Sequence, residues 1–231
     1  MIELRPYQES FTANISTALA THRRVVGTMA TGSGKGTVAA YMAERAASRG
    51  HRVLVLAHRK ELIDDLSGRI VDHGVRHGLI AAGRSMALSQ AVQVGSVDSV
   101  ARRRHLIPAP TLIIQDEAHH LIEGNKWGRA IEAWPSAYLV GLTATPQRLS
   151  GEGLGEGYGG YFRELILGPT AQWLTDEGYL SRARVLAPPG FDLSGIRRFD
   201  TATGKARASE VLRSGQALSL IHISEPTRPR L

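Results

Sequence analysis

The chain has 231 residues, with 28 Lys or Arg against 21 Asp or Glu, a formal net charge of +7 and no cysteine, which excludes disulfides and cysteine metal sites. Hydrophobic residues make up 42%, enough for a packed core and against global disorder. No apolar run reaches bilayer length, Met1 to Arg5 is no secretion signal, and the pI is near 10.1, so the expectation is a cytoplasmic protein with a polyanionic partner and no membrane.

Leu4-Arg5-Pro6-Tyr7-Gln8 opens a helix, because Pro6 suits a first helical position. Tyr7, Phe11, Ile15 and Leu19 then share one face. Val25 to Met29 is the first buried strand. A helix over Thr37 to Ala47 follows, with Val38, Tyr41, Met42 and Ala46 inward. Arg52 to Ala57 is a second apolar strand, and 59–72 a helix with Leu62, Ile63, Leu66 and Ile70 inward. Leu79 to Ala82 and Val92 to Gly95 are short strands around a polar turn at 83–90. Val97 to Arg104 is a short helix halted before Pro108 and Pro110.

Thr111 to Gln115 is another apolar strand, 125–134 a helix bearing Trp127, Ile131 and Trp134, and Tyr138 to Leu142 a strand. Residues 149–160 are glycine-rich and read as a mobile loop. Thr170 to Gly178 reads as a short helix and Ala183 to Ala187 as a last strand. Strands that alternate with helices and are apolar on both faces predict an α/β fold, a doubly wound and mainly parallel sheet.

Between the first strand and the next helix lies Ala30-Thr31-Gly32-Ser33-Gly34-Lys35. Strand, glycine-rich turn and helix make a phosphate-binding loop. The glycines let backbone N–H groups wrap a polyphosphate, and the helix start adds positive potential. Lys35 reaches terminal phosphates as a point charge. The usual loop carries Ser or Thr after the lysine to ligate Mg²⁺. Here that residue is Gly36, and the hydroxyl of Thr37 is turned away by about 100° of helix. Asp116-Glu117 ends the apolar strand 111–115. Adjacent carboxylates there suit metal holding and water activation, and equally suit capping of a following turn. His119 is placed to relay, His120 reads as a surface residue, and Thr143 and Thr145 end the next strand with hydroxyls that can bridge the Asp116 region to another segment. In a doubly wound sheet all of these fall at carboxyl ends of strands, where ligands bind.

The sequence resembles the first RecA-like domain of superfamily 2 DEAD/DEAH-box helicases and translocases, closest to the type III restriction and DNA-repair group. Six motifs carry the resemblance in order over roughly residues 3 to 190: Arg5-Pro6-Tyr7-Gln8, Thr31 to Lys35, Ala57-His58-Arg59-Lys60-Glu61-Leu62, Val94-Gly95-Ser96-Val97, Asp116-Glu117-Ala118-His119, and Gly141 to Pro146. The resemblance implies an ATP hydrolase that uses ATP and Mg²⁺ and acts on nucleic acid, with DNA favoured over RNA. Gln8, with Arg5 nearby, would read adenine. Thr31, Gly32, Ser33, Gly34, Lys35, Gly36 and Thr37 would line the phosphates. Lys35, Asp116 and Glu117 would be catalytic, with Asp116 holding Mg²⁺ through water. His119, Thr143 and Thr145 would couple nucleotide to nucleic acid, which His58, Arg59 and Ser96 would grip by its phosphates.

The family completes its active site with a second RecA-like domain, and nothing after residue 190 resembles one. The expected organisation is therefore a RecA-like domain over 1–189, a linker over 190–217, and a non-native tail over 218–231, where Leu218 to Arg228 resembles translated sequencing adapter. Two activities stay open: a helicase or translocase motor seen as its N-terminal half, inactive or weak alone, and an ATP- and nucleic-acid-binding module with little turnover.

Overall fold

The computed structural model describes residues 3–148, 151 and 153–182. The 190–217 linker, the 218–231 tail and the strand expected at 183–187 lie outside them. The described residues up to Leu180 form one compact unit. Its elements run α1 (Pro6–Leu19), β1 (Arg24–Thr28), α2 (Lys35–Ala47), β2 (Val53–Ala57), α3 (Lys60–Asp72), β3 (His77–Ile80), β4 (Val92–Ser96), α4 (Val97–Arg103), β5 (Leu112–Asp116), α5 (Lys126–Ile131), β6 (Tyr138–Thr143), β7 (Glu164–Leu167) and α6 (Ala171–Asp176). Single 3-10 turns stand at Arg104–Leu106, Ala118–His120 and Glu156–Tyr158.

The seven strands form one sheet in the order β3-β4-β2-β5-β6-β1-β7, every pair parallel. Successive side chains of a strand point to opposite faces, so an apolar run feeds two cores. In β2, Val53, Val55 and Ala57 enter one core with Phe11 and Ile15 of α1, Val38 of α2, Leu66 of α3 and Leu174 of α6. Leu54 and Leu56 enter the other, with Val97 and Val100 of α4, Trp127 and Ile131 of α5, and Phe162. The sheet is thus covered on both sides, as parallel sheets require. Tyr41, Ala46, Leu19 and Leu62 sit half-buried at the rim of the first core rather than within it.

Three elements depart from expectation. β3 starts two residues early, at His77, because its pairing with β4 from His77↔Val92 to Ile80↔Gly95 sets its bounds. α5 is shorter than 125–134: Asn125 caps it, accepting from Trp127 N and Gly128 N, and it ends at Ile131, ahead of Pro135. β7 was not expected at all. It is a four-residue edge strand bonded to β1 alone. In the glycine-rich stretch Leu154, and directly after it Tyr161 and Phe162, are buried in the second core, so its described part is docked on the domain.

The registers align the strand ends. Ala57 lies opposite Ser96, Asp116 opposite Leu142, and Thr28 opposite Thr143. One edge of the sheet therefore carries the glycine loop after β1, His58 and Arg59 after β2, Ser96 on β4, Asp116-Glu117 on β5 and Thr143 on β6.

Candidate nucleotide site

The loop after β1 is a closed hydrogen-bonded unit. Gly32 and Gly34 have φ of +81° and +87°, a conformation that favours glycine. Gly34 precedes Lys35, the first residue of α2. Ser33 is buried, and its Oγ donates to Ala30 O at 2.6 Å. Ser33 O in turn accepts from Tyr7 Oη at 2.8 Å and Gln8 Nε2 at 2.9 Å. Gln8 Oε1 accepts from Arg5 N at 3.0 Å. The buried Gln8 amide therefore ties the start of α1 to the loop, and each end keeps one further hydrogen-bonding position. A Cβ on Gly34 would collide with Gln8 Nε2. Lys35 Nζ donates to Met29 O at 3.2 Å and Ala30 O at 3.3 Å. Burial lowers its pKa, against the raising charges of Glu117 and Asp116. Thr31 is exposed at the loop tip.

The departure after the lysine is accommodated, not corrected. α2 begins regularly, and the Thr37 hydroxyl accepts from Arg69 Nη1 of α3 at 2.9 Å. Gly36 presents no hydroxyl, and Thr37 has not rotated back to supply one.

Across the crevice, Asp116 and Glu117 behave differently from the loop. Burial first, and the Glu117 charge second, raise the Asp116 pKa from 3.8 to about 6, with Lys35 opposing. Glu117 has φ +51°, and no other non-glycine among the described residues has a positive φ. Such a residue costs of order 1 kcal/mol or more and persists where surrounding structure imposes it, most often at functional sites. Glu117 Oε2 lies 3.3 Å from His119 Nδ1. His119 Nδ1 also lies 3.0 Å from Thr143 Oγ1. Thr143 Oγ1 donates to Thr145 O at 3.0 Å and accepts from Thr145 N at 3.1 Å. Its one proton is thereby used, so His119 Nδ1 is the donor toward it. His119 thus links the β5 end to Thr143, and Thr145 takes part only through its backbone.

His120 is half-buried, contrary to the surface position expected for it. Its ring centroid lies 4.1 Å from that of His119 and 4.9 Å from that of Trp127, both tilted, and 5.5 Å from that of His58, edge-on. Burial is the largest cause lowering the pKa of both His58 and His120. Trp127 reads in sequence only as a core residue of a helix. Its contact with His58, 5.4 Å between centroids, depends on α5 packing beneath the β2 end, and no local pattern encodes that. His58 thus lies against the carboxylate side of the site. Arg59 is exposed just before α3, and its Nε donates to His58 Nε2 at 3.1 Å. Ser96 Oγ accepts from Ser99 N at 3.2 Å, capping α4.

A second feature escaped the sequence. Trp173 and Tyr179 pack around Tyr7, with centroids 6.2 and 4.9 Å away, and the Arg5 guanidinium lies 5.2 Å from the Tyr179 ring centre. Leu180 approaches Gly32. The segment around α6 therefore borders the loop beside Gln8.

The sheet edge fits a nucleoside triphosphate with a divalent cation. It offers left-handed glycines at a helix start, a lysine within the loop, and opposite them a buried carboxylate that ionises reluctantly without a cation.

Residues 1–148 match the family described as type III restriction enzyme, res subunit. A 51.5 kDa protein of a Lactococcus phage (isolate 7-9) is 34% identical over 166 residues, 72% of this chain, and the chain spans about a third of that relative's length. Among solved structures, the UvsW helicase from bacteriophage T4 is similar with a TM-score of 0.58 at 20% identity, over 72% of this chain and 60% of that one. The Pyrococcus furiosus Hef helicase domain gives 0.60 at 17%, over 78% and 41%. A nuclease-deletion mutant of the Type ISP restriction-modification enzyme LlaGI, in complex with a DNA substrate mimic, gives 0.60 at 17%, over 78% and 21%. At these identities the likeness is one of fold, a RecA-like domain.

Proposed function

The chain belongs to the family of the type III restriction enzyme res subunit, and from that premise we propose that it is the ATP-binding half of an ATP-dependent nucleic-acid helicase or translocase, acting on DNA. The observation that carries this reading is the alignment of the glycine loop, Asp116-Glu117 and the His119–Thr143 bond on one sheet edge. Lys35 and the loop N–H groups bind the phosphates. Asp116 would hold Mg²⁺, which when bound would neutralise charge on the phosphate oxygens. Glu117 accepts the proton of the attacking water, and His119 lies beside its carboxylate with the Nδ1 proton donated to Thr143. Gln8 uses its remaining donor and acceptor on the adenine edge.

His58, Arg59 and Ser96 contact the strand backbone. The ring contacts of His58 with His120 and Trp127, and of His120 with His119, give the nucleotide side a packed route to them. A second RecA-like domain, reached through a linker after residue 189, supplies the remaining catalytic groups in the longer protein. In that reading the chain alone binds ATP weakly and unwinds no duplex. One observation favours the second reading, a binding module with little turnover: Gly36 leaves the metal one ligand short.

The test is a titration of the 231-residue chain with a fluorescent ATP analogue and Mg²⁺, then with labelled single-stranded DNA. Saturable nucleotide binding that Lys35→Ala abolishes, and DNA binding that Arg59→Ala weakens in a salt-dependent way, support the reading. Nucleotide binding indifferent to Lys35→Ala overturns it.

A further inference from the structure

We propose that Arg69 of α3 is a phosphate-binding cation of this site, occupying space that Gly36 opens on the first turn of α2. The inference rests on the nucleotide reading above and adds a residue to it. α2 and α3 pack side by side on the same face of the sheet. Arg69 reaches across that contact and donates from Nη1 to Thr37 Oγ1 at 2.9 Å. Its Nε donates to Asp65 Oδ2 at 2.8 Å, one turn earlier on its own helix. A Cβ on Gly36 would meet Arg69 Nε at 3.0 Å, Arg69 Cδ at 3.1 Å and Asp65 Oδ2 at 3.5 Å. The guanidinium therefore lies against the bare face of the residue that follows Lys35.

Gly36 is not required by its backbone. It is helical, and its φ is not among the positive ones. A glycine inside a helix is less stabilising than alanine, and here another group approaches its bare face. Arg69 is that group. A threonine at position 36 would crowd it, so the hydroxyl of the usual loop and this guanidinium compete for one place.

Arginine carries five N–H donors in a planar fork. Two are used here, on Asp65 and Thr37, and among the described residues Nη2 makes no hydrogen bond. The side chain is 31% exposed, so its head is partly withdrawn from water and still reachable. Asp65 holds the fork in line. A guanidinium so held matches two phosphate oxygens at once. The ligand class is a nucleoside polyphosphate, whose binding would lean less on a divalent cation than in a loop that carries the hydroxyl.

The experiment titrates a fluorescent ATP analogue into the full 231-residue chain, once in EDTA and once in Mg²⁺, with thermal melts to verify folding. In EDTA, Arg69→Ala weakens binding about tenfold, the scale of one charged hydrogen-bonding group. Arg69→Lys restores only part of it, because a point charge lacks the fork. Gly36→Thr weakens EDTA binding similarly, and the double variant is no weaker than either single one, since both remove the same contact. Gly36→Thr also gains a steeper Mg²⁺ dependence. Arg69→Ala within about twofold of the parent in EDTA would reduce Arg69 to a surface ion pair with Asp65 and overturn the inference alone. Binding by the parent that Lys35→Ala leaves unchanged would overturn the nucleotide reading and this inference with it.

Discussion

The two sides of the crevice are built on opposite terms. On the loop side, polar groups are consumed internally: Tyr7 and Gln8 hold Ser33 O, Ser33 Oγ holds Ala30 O, and Lys35 holds the Met29 and Ala30 carbonyls. On the β5 side, a carboxylate is buried at a cost in ionisation, and the next residue sits in left-handed backbone. The loop is stabilised as it stands and must exchange bonds to take a phosphate. The strand end carries strain and unfavourable charge, which a cation would relieve. One domain thus places its stability on the loop side of the crevice and its strain on the strand-end side.

Four variants would break or sharpen this contrast. Lys35→Ala should have the largest effect, a loss of ATP-analogue affinity of about a hundredfold, with the melting temperature little changed. An unchanged affinity would mean that the loop does not hold phosphate. Gly34→Ala should destabilise by roughly 3 kcal/mol in urea unfolding, because it adds left-handed strain and breaks the Gln8–Ser33 bond. A neutral result would deny that the loop side is tightly built.

Asp116→Asn should stabilise at pH 8 by roughly 2 kcal/mol. The sign follows from a folded pKa of about 6, above the ordinary value of 3.8. Stability from this group is full below the lower value and is lost as pH rises through the higher one. The advantage of the variant should therefore shrink as pH falls from 8 towards 4, which melts across that range will show. Metal-dependent ATP binding by the parent should weaken below pH 6, as Asp116 gains its proton. Glu117→Gly should have the smallest effect, a gain of about 1 kcal/mol from relief of the left-handed backbone, together with loss of any ATPase. A destabilised Glu117→Gly would mean that the strain is not where the backbone places it.

Much of this was legible before any coordinates. Val25 to Met29, Arg52 to Ala57, Val92 to Gly95, Thr111 to Gln115 and Tyr138 to Leu142 each lie within a residue or so of an observed strand. Strands buried on both faces are continuous apolar runs, and their bounds are written locally. The glycine loop was legible for a similar reason: positive φ and a helix start demand particular residues in a row. β7 was not, because Glu164–Leu167 alternates half-buried with exposed residues and is a strand only by virtue of β1 beside it. The start of β3 likewise depends on β4.

The sequence by itself determined the two covered faces of a parallel sheet, the glycine loop, the carboxylate pair and the absence of a hydroxyl at Gly36. These are properties of neighbouring residues, set by backbone preference and periodicity. Tertiary structure alone decided what surrounds them. It brought Tyr7 and Gln8 onto Ser33, His119 onto Thr143, His120 and Trp127 onto His58, and Arg69 onto Gly36. Each of those contacts joins positions between 24 and 69 residues apart, on different elements. Only the strand order and the helix packing set such distances, which is why Gly36 reads in sequence as a lost ligand and in the fold as room for an arginine.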